Sequence, residues 1–172
     1  MKTKKSSVVL IVIVLAMLSG TPLFAINGKS NLATLRGLQG VGVLVEQLPP
    51  EVENEGLRRN QIQAEVESKL RMAGIKVLTK EECAKTPGEP YLYINLNINI
   101  TKTESDIHPY SIDVMLIQKV FLLRDPEKNT YAMTWSTGGI GSIDKQILAQ
   151  LRESVMNVVD VFIHAYLTEN PK

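Results

Sequence analysis

Three asparagines at every second position are the residues of this chain best placed to do chemistry. Asn95, Asn97 and Asn99 alternate with apolar residues in YLYINLNINI, and Tyr91 and Tyr93 extend the same set. In an extended strand these side chains point to one face about 7 Å apart, and each amide offers donors and an acceptor. The row predicts binding to a glycan, a peptide or another subunit; an ordinary solvated face is the alternative.

The next strand-like segment, Ser111–Leu123, is apolar on both of its faces. One face carries Ile112, Val114, Leu116, Val120 and Leu122, interrupted by Gln118. An apolar patch that two helices do not cover is typical of an interface, so we predict a binding surface on the opposite face. Its members are Met115, Ile117, Phe121 and Trp135, with Met133 beside them. A central strand covered by the protein's own loops is the alternative.

The glycine-rich segment 136–142 is a second candidate site. Such a segment between a strand and a helix can present main-chain N–H groups to a phosphate. Here no lysine followed by serine or threonine comes after the last glycine, and the dinucleotide GxGxxG spacing is also missing. We therefore expect a flexible connector. A small ligand-binding or hydrolase-like site near this segment and Trp135 is the alternative function.

Cysteine and histidine give little indication of catalysis or metal binding. The lone Cys83 follows two glutamates, which disfavour its thiolate, so we expect it to fill space in the core. His108 lies with Glu104 and Asp106 in a predicted loop, which is a poor preformed metal site. The sequence holds no HExxH, CxxC or nucleophile-elbow motif. It therefore predicts a non-enzymatic protein with no cofactor and no metal.

Hydrophobic periodicity outlines a single α+β domain over 40–172. Alternation predicts strands at about 40–48, 75–78, 91–103, 111–123 and 131–136, the first two parallel. Apolar spacings of three and four predict helices at about 58–73, ended by Gly74, and at about 144–167. A turn is expected at Asp125–Asn129. The order β-α-β-β-β-β-α predicts a two-layer sandwich, with a mostly antiparallel sheet and two helices on one face.

Residues 1–25 resemble the three parts of a secretory signal peptide. Three lysines precede the unbroken apolar run Val8–Leu18, and helix breakers and the small Ala25 follow. Such a run makes a helix of about 17 Å, short of the ~30 Å hydrocarbon core. We expect cleavage after Ala25 and a flexible leader over 26–39. An uncleaved anchor is the alternative, because Leu23 is large for its place in the cleavage site.

The charge balance argues against a nucleic-acid partner. The chain carries 19 basic and 18 acidic residues, and without the three lysines of the signal segment 16 and 18 remain, a net charge of −2. A nucleic acid or an anionic membrane would favour a basic patch. We expect membrane association only if the signal segment stays uncleaved. A single cysteine forms no internal disulfide, which fits a bacterial periplasmic or secreted protein.

Four stretches carry a resemblance to known proteins. They are LRRNQIQAEVESKLRMAGI (57–75), YLYINLNI (91–98), TWSTGG (134–139) and the closing YLTENPK (166–172). Together they resemble small exported bacterial proteins of unassigned function. The order of elements is also similar to small periplasmic modules that serve envelope assembly. The resemblance transfers no site residues. From the export segment and the outer sheet face we predict an interaction or assembly module of the cell envelope that binds a protein partner, or itself as a homo-oligomer, through that face.

Overall fold

A computed structural model describes residues 29–100 and 107–171. The predicted signal peptide lies outside the described residues. The helices are α1 (Lys29–Ala33), α2 (Pro50–Asn54), α3 (Arg59–Met72), α4 (Lys80–Cys83) and α5 (Leu151–Glu169), with a 3₁₀ helix at Lys145–Gln150. The strands are β1 (Gly42–Val45), β2 (Tyr91–Ile98), β3 (Ile107–Leu122) and β4 (Asp125–Asp144). Within the described residues, no helix is both long enough and apolar enough to cross a membrane.

The four strands form one mixed sheet in the order β1-β2-β3-β4. β1 is parallel to β2, and the two other pairs are antiparallel. The mixed helix and strand content confirms the predicted α+β class. The predicted strand at 75–78 is wrong, because only Val77 forms a parallel bridge there, to Val41. Thr79 follows at once as the N-cap of α4 in a capping box with Glu82, and this helix start takes the chain out of the sheet.

β4 extends far beyond the strand predicted at 131–136. It includes the segment expected to turn at Asp125–Asn129, and the turn lies instead at residues 123–124. It also includes the glycine-rich segment 136–142, so the predicted flexible connector is wrong. β3 supplies a pairing partner along the whole length, with Asp113 opposite Gly138 and Tyr110 opposite Gly141. Glycines that local propensity assigns to a loop are held here by a neighbouring strand.

The core lies between α3, α5 and the inner face of the sheet. The alternation predicted for β2 is confirmed, with Leu92, Ile94, Leu96 and Ile98 buried. The predicted stripe of α3 is buried through Ile62, Val66 and Leu70. Gly74 ends α3 at φ 81°, where Ile75 N–H donates to Leu70 O at 2.9 Å. The last helix begins later than predicted, because residues 145–150 form a 3₁₀ turn first.

Residues 29–39 belong to the domain, which corrects the prediction of a flexible leader for this part of 26–39. Leu35 is fully buried in the core. Tyr166 Oη donates to Leu38 O at 2.6 Å, and Asn170 Nδ2 donates to Leu35 O at 2.9 Å. Gln118, the polar residue that interrupts the apolar face of β3, donates through Nε2 to Thr34 O at 3.4 Å. The segment contains many polar residues, but Leu35 anchors it in the core, Leu32 and Leu38 pack against the core, and several hydrogen bonds reach its main chain.

Candidate functional site

The outer face of the sheet, opposite α3 and α5, carries most of the predicted binding residues. The register places Asn95 opposite Asp113 and Asn97 opposite Ser111. Asn99 lies just beyond β2, and its N–H donates to Pro109 O at 3.0 Å. We call this end of the face the polar half. Its members are Asn95, Asn97, Asn99, Ser111 and Asp113.

The other end of the outer face is apolar and aromatic. Tyr93 lies opposite Leu44 on one side and opposite Met115 on the other. Tyr91 lies opposite Ile117, which is paired in turn with Met133. Four side chains line a shallow hollow of about 280 Å³: Leu44, Tyr91, Tyr93 and Ile117. We call this end the apolar half, with the members Leu44, Tyr91, Tyr93, Met115, Ile117 and Met133.

Two carboxylates stand beside the apolar half, and each is held by tyrosine. Glu46 accepts from the hydroxyl of Tyr93, which lowers the pKa of Glu46, and the N–H of Gln47 adds to the effect. Glu89 accepts from Lys119 Nζ at 2.8 Å and from the hydroxyl of Tyr131. These two bonds, the lysine bond first, lower the pKa of Glu89. Both carboxylates therefore carry their charge at neutral pH.

Glu89, which makes these contacts, has an uncommon backbone conformation. Its φ of 43° is the only positive value at a residue other than glycine among the described residues. The residue lies between Gly88 and Pro90, where Gly88 O accepts from the N–H of Lys119 at 2.7 Å. The hairpin formed by β3 and β4 is thereby tied to the segment that leads into β2. Left-handed backbone at a residue with a side chain costs free energy, so its neighbours must hold it in place.

An open groove of about 920 Å³ runs along the polar half. It is lined by the three predicted asparagines, by residues just after β1, and by residues of β3 and β4. The lining residues are Glu46, Gln47, Pro49, Asn95, Leu96, Asn97, Ile98, Asn99, Pro109, Tyr110, Ser111, Ile140, Gly141 and Ser142. The asparagine row and part of the glycine-rich segment therefore line the same groove, although their places in the sequence indicate two separate candidate sites.

Trp135 is not part of the outer face, contrary to the prediction. It is buried, with 1 % of its surface exposed, and its ring meets that of Phe162 at 5.3 Å in a T-shaped contact. It lies opposite Leu116, whose side chain is also buried. A register shift between Leu116 and Ile117 changes the pairing at this point, and such a bulge cannot be read from alternation alone.

Three other residues considered in the sequence lie outside both halves of the outer face: Phe121, His108 and Cys83. Phe121 is exposed, but it lies on the part of the β3–β4 hairpin that extends past the residues paired with β2. His108 was predicted in a loop and is instead buried within β3. Among the described residues, no group of three or more His, Cys, Asp or Glu side chains could hold a metal ion. Cys83 is buried as a core residue, and burial raises the pKa of its thiol.

Four residues of this surface are not among those predicted from the sequence: Leu44, Glu46, Tyr131 and Ile140. Leu44 could have been found, because it alternates with Val43 and Val45 and must point away from them. Ile140 is 90 % exposed within a segment that was predicted to be a loop. No family model matches the chain, and no curated protein matches its sequence.

Proposed function

We propose that this protein is an exported, non-enzymatic interaction module of the bacterial cell envelope, and that it binds a protein partner through the outer sheet face. The observation that carries the proposal is the apolar half. Leu44 is 43 % exposed and Met133 is 49 % exposed, on the face of the sheet opposite α3 and α5. A contiguous apolar patch of this kind favours an interaction surface, since single exposed apolar residues are common but groups of them are not.

The composition of the apolar half favours a protein partner over other ligands. Tyrosine and methionine are enriched at the centres of protein interfaces, where they bury a large area. Here Tyr91 and Tyr93 lie in one row of β2, with Met115 and Met133 across the neighbouring strands. Charged groups, Glu46 and the Glu89–Lys119 pair, lie at the rim. An apolar centre with a charged rim is the usual anatomy of such an interface.

The proposed compartment follows from the first residues of the chain. Residues 1–25 have the three regions of a secretory signal peptide. The chain has a single cysteine and therefore forms no internal disulfide. We propose export to the periplasm or the outside of the cell, with cleavage after Ala25. Mass measurement of the mature protein tests this directly. A mature chain that begins at Ile26 supports cleavage, and an intact Met1 supports the membrane-anchored alternative.

The interaction is tested by crosslinking within living cells. A photoreactive amino acid replaces Leu44, and the crosslinked products are identified with and without a second change, Met133→Lys. A buried lysine has no counter-charge at an apolar contact, so we expect the crosslink to fall by about tenfold or more. Asn129→Lys, on β4 but outside the apolar half, is the matched control. A crosslink to a second copy assigns the face to self-association, and one insensitive to Met133→Lys contradicts the proposal.

One observation favours a ligand-binding function as a second candidate. The groove of about 920 Å³ lies within the size range of small-molecule sites, and asparagines and serines contribute much of its polar lining. Glu46 supplies the only carboxylate among the described residues of that lining. An amide-rich groove of this type suits a glycan. A shift in melting temperature with N-acetylglucosamine oligosaccharides, lost in Asn97→Ala, supports this candidate, and no shift rejects it.

A further inference from the structure

We propose that the partner binds as an extended strand along the free edge of β2, at Leu96 and Ile98, in the groove that opens where β1 ends. The inference rests on the proposed function and adds the mode of recognition. Addition of a strand to a sheet edge is a recurring way of binding peptides, in which main-chain hydrogen bonds supply affinity and side chains supply specificity.

The hydrogen bonds of Glu46 and Asn99 show which main-chain groups of β2 face β1. Glu46 N–H donates to Ile94 O at 2.9 Å, so the polar main-chain groups of Ile94 point towards β1. Asn99 N–H donates to Pro109 O, so the odd-numbered residues of β2 point towards β3 instead. Because these directions alternate along a strand, the N–H and C=O groups of Leu96 and Ile98 point towards the position that β1 would occupy.

β1 does not continue far enough to meet them. Its last bond to β2 is the one from Glu46, after which the chain passes through Leu48 and two prolines into α2. Proline carries no N–H and fits poorly into a paired strand. Among the described residues, no hydrogen bond reaches the main chain of Leu96 or Ile98 from this side. Free main-chain groups at a sheet edge are a template for another strand.

Main-chain groups at both ends of β1 are already occupied on this side of the sheet. Val41 is bonded on its outer side, since its N–H donates to Lys76 O and its C=O accepts from Leu78 N–H. Further along β1, Val45 O accepts from Arg59 Nε at 2.7 Å. The outer edge of β1 is therefore closed at both ends. Beyond the end of β1, the groove beside Leu96 and Ile98 is open and provides the volume for an incoming segment.

The groove also indicates the chemistry of the segment that fits. Side chains of an added strand on the outer face would lie next to Asn95 and Asn97, whose amides can hydrogen-bond polar groups. Among the described residues of the lining, the charged one is Glu46, and α2 adds Glu51 and Glu53 directly after the groove wall. Alternate residues on the inner side would meet the edge of the core beside Ile98. We therefore assign the groove to an extended peptide of the partner with basic and polar residues alternating with small apolar ones.

The test uses the full chain and a display library of peptides of about eight residues, the length of a typical strand or slightly more. Peptides that bind should show alternation of polar or basic residues with small apolar ones. Hydrogen exchange of individual amides is then followed by NMR with a selected peptide. We expect the peptide to slow the exchange of the Leu96 and Ile98 N–H groups to about one tenth of their rate in the free chain or lower. The N–H groups of Asn95 and Asn97, already bonded to β3, should change little. A library without binders, or binding without this protection, overturns the inference.

Charge substitutions separate this inference from the proposed function. Asn97→Lys should weaken peptide binding by repulsion, Asn97→Asp should preserve or strengthen it, and Asn129→Lys should leave it unchanged. If the crosslink at Leu44 is lost in Met133→Lys but unaffected by Asn97→Lys, the outer face still binds a partner and the strand-addition mode fails. If neither change affects the crosslink, the proposed function fails as well. Protection of Leu96 and Ile98 in the chain alone, rising with its concentration, would identify a second copy as the occupant and overturn the assignment to a partner.

Discussion

The main-chain oxygen of Ile112 lies 2.5 Å from the point where Gly138 would carry a Cβ atom. The Asp113 carboxylate is close to the same point, at 3.0 Å. At the next residue of β4, Gly139, no heavy atom lies within 4 Å of the corresponding point. At Gly141 the nearest atoms belong to the ring of Tyr110, at 2.6 and 2.7 Å. The three glycines of β4 therefore have different surroundings. A side chain would meet a main-chain atom at Gly138, open space at Gly139 and a movable side chain at Gly141.

These surroundings predict a graded response to alanine. Gly138→Ala should lower the free energy of unfolding by about 1–3 kcal/mol, because a main-chain oxygen cannot move away without disturbing the pairing of β3 and β4. Gly139→Ala should leave it unchanged or raise it by up to about 1 kcal/mol, since alanine restricts the unfolded chain. Gly141→Ala should fall between the two, because the Tyr110 ring can rotate. Urea unfolding of the three variants measures the order, and equal stability of all three would contradict the paired strand.

Trp135 offers a second prediction, because it is the only tryptophan in the chain. Its side chain is buried against Phe162, so its fluorescence should be blue-shifted and little quenched by acrylamide. Trp135→Phe should cost less stability than Trp135→Ala, which we expect to cost about 3–5 kcal/mol through loss of packing. Phe121→Ala, at an exposed aromatic residue of the neighbouring strand β3, is the control for a surface position. A red-shifted, readily quenched emission would place Trp135 on the surface.

Some features of this fold are readable from the sequence because they depend only on local periodicity. The alternation in YLYINLNI predicts β2 and both of its faces, and the spacing of Ile62, Val66 and Leu70 predicts α3. The asparagine row is placed on the outer face by the same reasoning. In a strand a period of two residues, and in a helix a period of about 3.6 residues, determines which side chains meet the core.

Other features depend on contacts between distant segments, which periodicity does not contain. Gly141 lies in a strand because Tyr110 lies opposite it, and nothing local to 136–142 indicates this. The face on which Trp135 lies depends on a bulge beside Leu116. Leu35 is one of three leucines in a largely polar stretch, yet it is fully buried because distant segments pack around it. The groove beside Leu96 arises because β1 ends early, an outcome set by the prolines that follow and by the register of two strands.

Leu35 provides the test of where the domain begins. Leu35→Ala should lower the free energy of unfolding by about 2–5 kcal/mol, as expected for a fully buried leucine. Gln39→Ala, an exposed residue in the same segment, should change it by no more than about 0.5 kcal/mol. Chemical unfolding of both variants gives the comparison. If the two variants are equally stable, residues 29–39 do not contribute to the core and the domain begins near residue 40.

The Glu89 cluster predicts how stability depends on pH. Lys119 and Tyr131 hold the pKa of Glu89 below its usual value of 4.5, so the folded chain prefers the ionised carboxylate. A carboxylate with a lowered pKa stabilises the fold above its unfolded-state pKa, and this contribution is lost as the pH falls through the folded-state value. The pKa values of Lys119 and Tyr131 are raised by the same contacts, so their contributions are lost only in strongly alkaline solution.

Comparison with Glu89→Gln isolates this contribution. We expect the variant to be less stable than the wild-type chain at pH 7 and the difference to shrink as the pH falls below about 4.5, since protonated glutamate resembles glutamine in charge. Glu127→Gln removes a carboxylate from the same hairpin but outside the cluster, and should show no such convergence. Urea unfolding of the three proteins between neutral pH and about pH 3 provides the curves. A difference between wild type and Glu89→Gln that stays constant to low pH would show that the ionised carboxylate does not hold the hairpin to the segment before β2.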